Sequence, residues 1–162
     1  MGRADQKGSF MKVSTRVEYG MIALVDIAIH SQDGSSVSTN DCKSAFSASS
    51  DIIGKGIELC LDEIEEYLPP CEILLVAPAF LGEDVWNTEK DPEFGKESAA
   101  ISRELKEEYR KIARKRGTAF LAASDYVQVN NADSEHLDEE GHRILAMAIY
   151  KKLKDMEVIG LS

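Results

Sequence analysis

Apolar positions along this chain change period several times, and each period predicts an element. From Ser50 to Leu68 the set Ile53, Ile57, Cys60, Leu61, Ile64, Tyr67 and Leu68 recurs at helical spacing, with Ser50 placed to cap it and Pro69-Pro70 to stop it. "CEILLVAP" is continuously apolar and ends in proline, the mark of a parallel strand buried on both faces. A long mixed loop, "AFLGEDVWNTEKDPEFG", separates it from a second amphipathic helix over about Lys96 to Arg116. That helix turns Ile101, Leu105, Tyr109, Ile112 and Ala113 inward and ends on Gly117 as its C-cap. "TAFLAAS" reads as the next strand. A last helix starts near Asp138, whose carboxylate suits the orphan N–H groups of a first turn, with Ile144, Leu145, Ala148, Ile149 and Leu153 on its buried side. Strands alternating with helices predict an α/β fold with right-handed crossovers and a parallel sheet.

Upstream, "MKVSTRVEYGMIALVDIAIH" predicts another helix, with Val17, Met21, Leu24, Val25 and Ala28 on an apolar side that would lie against the sheet. Residues 1–10 read as a disordered leader. "MIALVDIAI" is interrupted by Asp26 and too short to span a bilayer, so the expectation is a cytoplasmic protein with no membrane partner.

Charge narrows the partners. Residues 1–38 hold four basic and four acidic side chains, so the net charge of −10 lies wholly in the rest of the chain. Such a surface repels phosphate backbones, which argues against nucleic acid. The basic run "KIARKRG" follows "ELKEEY" on one helix and reads as a solvated face. Cys42, Cys60 and Cys71 have neither a C-x-x-C nor a metal-finger spacing and read as small buried hydrophobes. No cofactor is implied.

Acidic and imidazole groups crowd into Asp133 to His142, in the loop between the last strand and the last helix. Functional groups of open α/β sheets gather at the carboxyl ends of strands, where this loop begins. Asp133 and His136, three apart in a turn, suit a carboxylate that orients one ring nitrogen while the other faces a substrate. Two other readings stand beside this one: a metal cluster from Asp133, His136, Asp138 and His142, or a capped helix start with no chemistry. His30, ending the first predicted helix, fits the negative end of its dipole. Asn40 and Asp41 read by default as an Asx-turn or an N-cap. Trp86 and Phe94 could wall an acyl pocket or plug the end of the sheet.

"DSEHLDEEGHRILA" resembles the last block of the SGNH (GDSL-type) hydrolases, in which Asp-x-x-His-Leu supplies the acid and base of a Ser-His-Asp triad. "TNDCKSAFSAS" resembles their third block, Gly-x-Asn-Asp, whose Asn donates to the oxyanion. With "EILLVAP" and the helices between, the likeness covers about residues 39–155 and is closest to the arylesterase-like branch of small acyl esters. It implies a three-layer α/β/α, flavodoxin-like parallel sheet, N-terminally truncated here, with His136 as general base, Asp133 as its orienting partner and Asn40 as oxyanion donor. The family's Gly-Asp-Ser nucleophile block and its second-block glycine have no counterpart, and its glycine two places before the Asn is Ser38. "QDGSS" offers Ser35, in reversed order and with no strand before it.

Residues 11–38 resemble instead the opening helix of IscR-type winged-helix transcription regulators, through "MKVSTRVEYG" and "GSSVS". No recognition helix, wing or cysteine trio follows. The implied organisation is a leader over 1–10, a regulator-like helical segment over 11–38 and an incomplete SGNH-hydrolase-like α/β domain over 39–162. Three functions follow: an ester hydrolase impaired for lack of its serine and acting on a small ester, a non-enzymatic regulator or dimerisation module, or a fused reading frame without selected function. With only the last two strands of such a sheet legible, an exposed sheet edge predicts a homo-oligomer.

Overall fold

The computed structural model describes residues 42–44, 48–68, 70–87 and 89–159. The leader, the helix predicted within 11–38, Ser35, Asn40 and Asp41 lie outside the described residues.

The elements run in the predicted order. Helix α1 is Ser50–Tyr67, strand β1 Leu74–Ala77, helix α2 Ser98–Arg116, strand β2 Ala119–Ala122 and helix α3 Glu139–Asp155, with one 3-10 turn, Ala123–Asp125, after β2. Ser50 is the first helical residue of α1 and does not cap it. Ser49 holds the N-cap position instead, and its hydroxyl donates to Asp51 Oδ1 at 2.5 Å. Helix α2 begins two residues later than the pattern suggested and ends as expected on Gly117, whose φ of 71° is the left-handed conformation that glycine adopts without strain.

Strands β1 and β2 pair in parallel, Leu74 with Ala119 through Ala77 with Ala122. Because side chains alternate along a strand, Leu75, Ala77, Phe120 and Ala122 share one face. That face meets α1 and α2 in one apolar cluster built on Ile53, Ile57, Leu61, Leu81, Val85, Phe94, Leu105, Tyr109 and Ile112. Phe94 is thus a plug in the core, 3% exposed, and not the wall of a cleft.

Several expectations of burial fail here; Cys60 and Cys71, read as buried, are half-buried. Leu74, Leu75 and Val76 are only half-buried, where a strand buried on both faces was expected. On α3 only Gly141 is buried; Ile144 is 36% exposed, and Leu145, Ala148, Ile149 and Leu153 are half-buried. Tyr67, in the last turn of α1, is 72% exposed. Each strand keeps one edge without a strand partner among the described residues, the feature on which the expected self-association rests.

Leu105 sits at the centre of the cluster, fully buried on α2. Leu105→Ala should lower unfolding stability by about 3 kcal/mol, read by urea denaturation; a loss under about 1 kcal/mol would mean that the α1–α2–sheet core is not the one that holds the fold.

Candidate active site

The loop after β2 is closed by one side chain. Asn130 Oδ1 accepts from the backbone N–H of Ala132 at 2.8 Å and of Asp133 at 3.1 Å, while its Nδ2 and its own backbone N–H both donate to the His136 carbonyl at 2.8 Å. Residues 130–136 therefore form a closed turn before any ligand is considered.

Inside that turn the Asp133 carboxylate has two tasks. Oδ1 accepts from the backbone N–H of Glu135 and of His136, each at 2.8 Å, and Oδ2 lies 3.2 Å from His136 Nδ1. Partial burial pushes the Asp133 carboxyl up, but the two backbone N–H donors and the His136 ring outweigh it and bring it from 3.8 down to about 2. A carboxylate ionised at neutral pH draws the ring proton onto Nδ1 and leaves Nε2 as a proton acceptor. The His136 side chain is 69% exposed, and its Nε2 makes no hydrogen bond to a described residue.

The turn is anchored to the loop that follows β1. Ser134, with φ at 62°, occupies the left-handed region that a non-glycine residue enters only when its surroundings hold it there. They do so through four bonds: the Ser134 carbonyl accepts from Gly82 N–H at 2.8 Å, its hydroxyl donates to Asp84 Oδ1 at 2.7 Å, and Lys90 Nζ donates to that hydroxyl at 2.6 Å and to the Asn131 carbonyl at 3.0 Å. Lys90 also pairs with Asp84 at 2.8 Å, and its side chain is only 14% exposed. The Lys90 bond, followed by that from Ser134, lowers the Asp84 carboxyl below its ordinary value. Gly82 permits this docking, since a Cβ there would stand 2.5 Å from Ser134 Cβ.

A second group approaches the same place. Glu135 Oε2 is 3.8 Å from His136 Nδ1 and its side chain is 14% exposed; burial raises its carboxyl, partly opposed by His136 and Lys43. Lys43 pairs with Glu93 at 2.5 Å and lies 5.4 Å above the Phe94 ring, while Ser98 Oγ donates to the Cys42 carbonyl at 2.5 Å. The block that carries Asn40 in sequence thus ends, at Cys42–Ser44, against the segment that runs from β1 into α2, within electrostatic reach of Glu135. Asn40 itself lies outside the described residues. Trp86, 39% exposed, donates through Nε1 to the Glu83 carbonyl at 3.0 Å and carries the Lys96 ammonium 4.9 Å from its ring.

Asp138 acts as the N-cap of α3, accepting from Gly141 N–H at 2.7 Å, which accounts for one acid of the cluster without chemistry. Among the described residues no three His, Cys, Asp or Glu side chains are grouped to hold a metal ion.

No protein-family model matches the sequence, and no curated protein does. Solved structures do match. A carbohydrate acetylesterase family member from Sinorhizobium meliloti is 25% identical with a TM-score of 0.64, covering 73% of this chain and 57% of that one. Est24, a carbohydrate acetylesterase from the same organism, is 27% identical with a TM-score of 0.63, over 73% and 57%. The fold of this chain is SGNH-hydrolase-like. The M. smegmatis aryl esterase, 20% identical with a TM-score of 0.63 over 72% of this chain and 57% of that one, shares the fold alone. This chain spans little more than half the length of these esterases. The likenesses lend no support to the winged-helix resemblance of residues 11–38.

Of the residues singled out from the sequence, the structure brings Asp133 and His136 into contact; Asn130, Ser134, Gly82, Asp84 and Lys90, which shape and anchor their turn, were not singled out. Asn130, three before Asp133, and Ser134, next to it, are local; Gly82, Asp84 and Lys90 come from a loop more than 40 residues away in the chain.

Carboxyl-carbon NMR should place the Asp133 midpoint at about 2. A carboxyl depressed in the folded state stabilises the fold at full strength above its unfolded value, so this contribution is lost as pH falls from 3.8 through about 2. A midpoint at or above 3.8 would mean that Asp133 does not hold the turn. Gly82→Ala should cost about 1–3 kcal/mol in urea denaturation through the clash with Ser134, and an unchanged midpoint of unfolding would refute the docking.

Proposed function

We propose that this chain carries the general-base half of a carboxyl-ester hydrolase site, with His136 as base and Asp133 as its orienting acid, acting on small acyl or aryl esters. The observation that carries the reading is the 3.2 Å contact between Asp133 Oδ2 and His136 Nδ1, with the far side of the ring open to solvent. Supporting it are the likeness to two carbohydrate acetylesterases and the position of the turn just beyond the carboxyl end of β2. Asn40 remains the candidate oxyanion donor through its Asn-Asp block, whose last residues end beside the same loop.

In the SGNH pattern the attacking oxygen belongs to a serine. No hydroxyl of a described residue is bonded to His136 Nε2, and the sequence carries no Gly-Asp-Ser. Water is then the attacking group for this chain alone. His136 Nε2 takes a proton from the water as its oxygen bonds to the acyl carbon, the acyl–oxygen bond breaks, and the proton passes to the leaving alkoxide to give acid and alcohol. Without a covalent intermediate the rate is low.

His136→Ala should reduce hydrolysis of p-nitrophenyl acetate by the purified chain about hundredfold, and a fluorophosphonate should label no serine. Equal hydrolysis by both chains would refute the reading. A serine labelled in the native chain and unlabelled in the variant would establish a complete triad and overturn only the impairment.

A further inference from the structure

Helix α3 carries an apolar stripe that the described residues leave uncovered. Ile144 is 36% exposed, Met147 58% and Tyr150 47%, and Tyr126, in the segment after β2, stands beside them at 52%. Together with Lys151 and Lys154 they line one groove. Contiguous apolar surface of this kind, edged by charge, marks a contact site.

The stripe has a centre. Ile144 lies three residues before Met147 and Tyr150 three after it, while Glu140 lies seven before and Lys154 seven after. Positions three and seven apart fall on one side of a helix, so that side reads acid, three apolar residues, base. Neither Lys151 nor Lys154 forms an ion pair with a described residue. Glu140 pairs with Arg143 on its own helix, in an exposed bond that leaves carboxylate lone pairs free to accept from a further cation.

We propose that the groove is filled by the same helix of a second copy of this chain, the two α3 helices packing antiparallel about a twofold axis through Met147. Reversing the stripe about that residue lays it on itself with the charges exchanged. Met147 meets its own copy, Ile144 meets Tyr150, and Glu140 of each copy comes beside Lys154 and Lys151 of the other. The acidic first turn, Glu139 and Glu140, then faces the basic last turn, Lys152 and Lys154, and the opposed helix dipoles attract. A parallel pair would instead set like charges together at both ends. A surface that complements itself about a twofold axis closes as a dimer. The seam is a single helix wide, at the small end of specific interfaces, so the dimer is expected to be weak, with a Kd roughly in the micromolar range. This inference places self-association on α3 and not on the sheet edges, and it does not rest on the esterase reading.

Sedimentation equilibrium of the full chain at about 5–500 µM tests it. The native chain should pass from monomer to dimer over that range. Met147→Asp, at an exposed position outside the described core, sets two carboxylates against each other on the axis and should weaken the dimer about hundredfold, with circular dichroism showing that the fold persists. Orientation is read from oxidised cysteine variants by peptide mass spectrometry. Met147→Cys should give a disulfide joining position 147 of two chains, whereas in Glu140→Cys the two sulfurs stand about 21 Å apart along an antiparallel pair and no bond forms at position 140. A native chain that stays monomeric, with something else or nothing in the groove, overturns the proposal. So does a dimer that Met147→Asp leaves unchanged, which would pair through a sheet edge or another surface. Absence of the bond at position 147, or its presence at position 140, overturns it as well.

Discussion

The Asp133 carboxylate is satisfied within its own turn, and the candidate site depends on that. Its Oδ1 is committed to two backbone N–H groups, which fixes the path of the chain from Asp133 to His136, and the same commitment aims Oδ2 at the imidazole. A carboxylate pinned by backbone donors stays ionised far below neutral pH, and an ionised carboxylate keeps the ring in the tautomer whose free nitrogen accepts protons. Local hydrogen bonding thus sets the chemistry of a ring that is itself largely in solvent.

The turn would drift without its anchorage. Lys90 holds Asp84, Ser134 and the Asn131 carbonyl with its three donors, so a nearly buried ammonium ends up with each proton used. The cost of holding Ser134 in the left-handed region is met by these bonds and by the close approach of Gly82. The loops after β1 and after β2 are in this way one structure, and the parallel pairing of the two strands is what brings their carboxyl ends side by side.

The core and the surface behave differently for a reason of geometry. One face of the sheet is covered by α1 and α2, which close around Leu105 and Tyr109, whereas the other face has two strands' width of apolar surface and no helix comparably buried against it among the described residues. Helix α3 is capped well by Asp138 and keeps its length, yet its apolar side stays half in water. The fold is that of the matched esterases over a little more than half of their length, and the incomplete covering of α3 and of the strands is consistent with that extent.

Period and punctuation in the sequence determined the elements, their order, the Gly117 stop and the pairing of Asp133 with His136, because each of these is decided within a few residues by spacing, capping or backbone conformation. Resemblance added the hydrolase-like fold. Burial was not legible for β1, Tyr67 or α3, since an apolar residue's exposure depends on which neighbours arrive and not on its own periodicity. The anchorage was not legible either: Lys90 and Asp84 look like ordinary solvated charges in "GEDVWNTEKD", and Ser134 carries no mark of its φ. Only the tertiary structure, by laying two parallel strand ends together, decided that these residues hold the turn that carries Asp133 and His136.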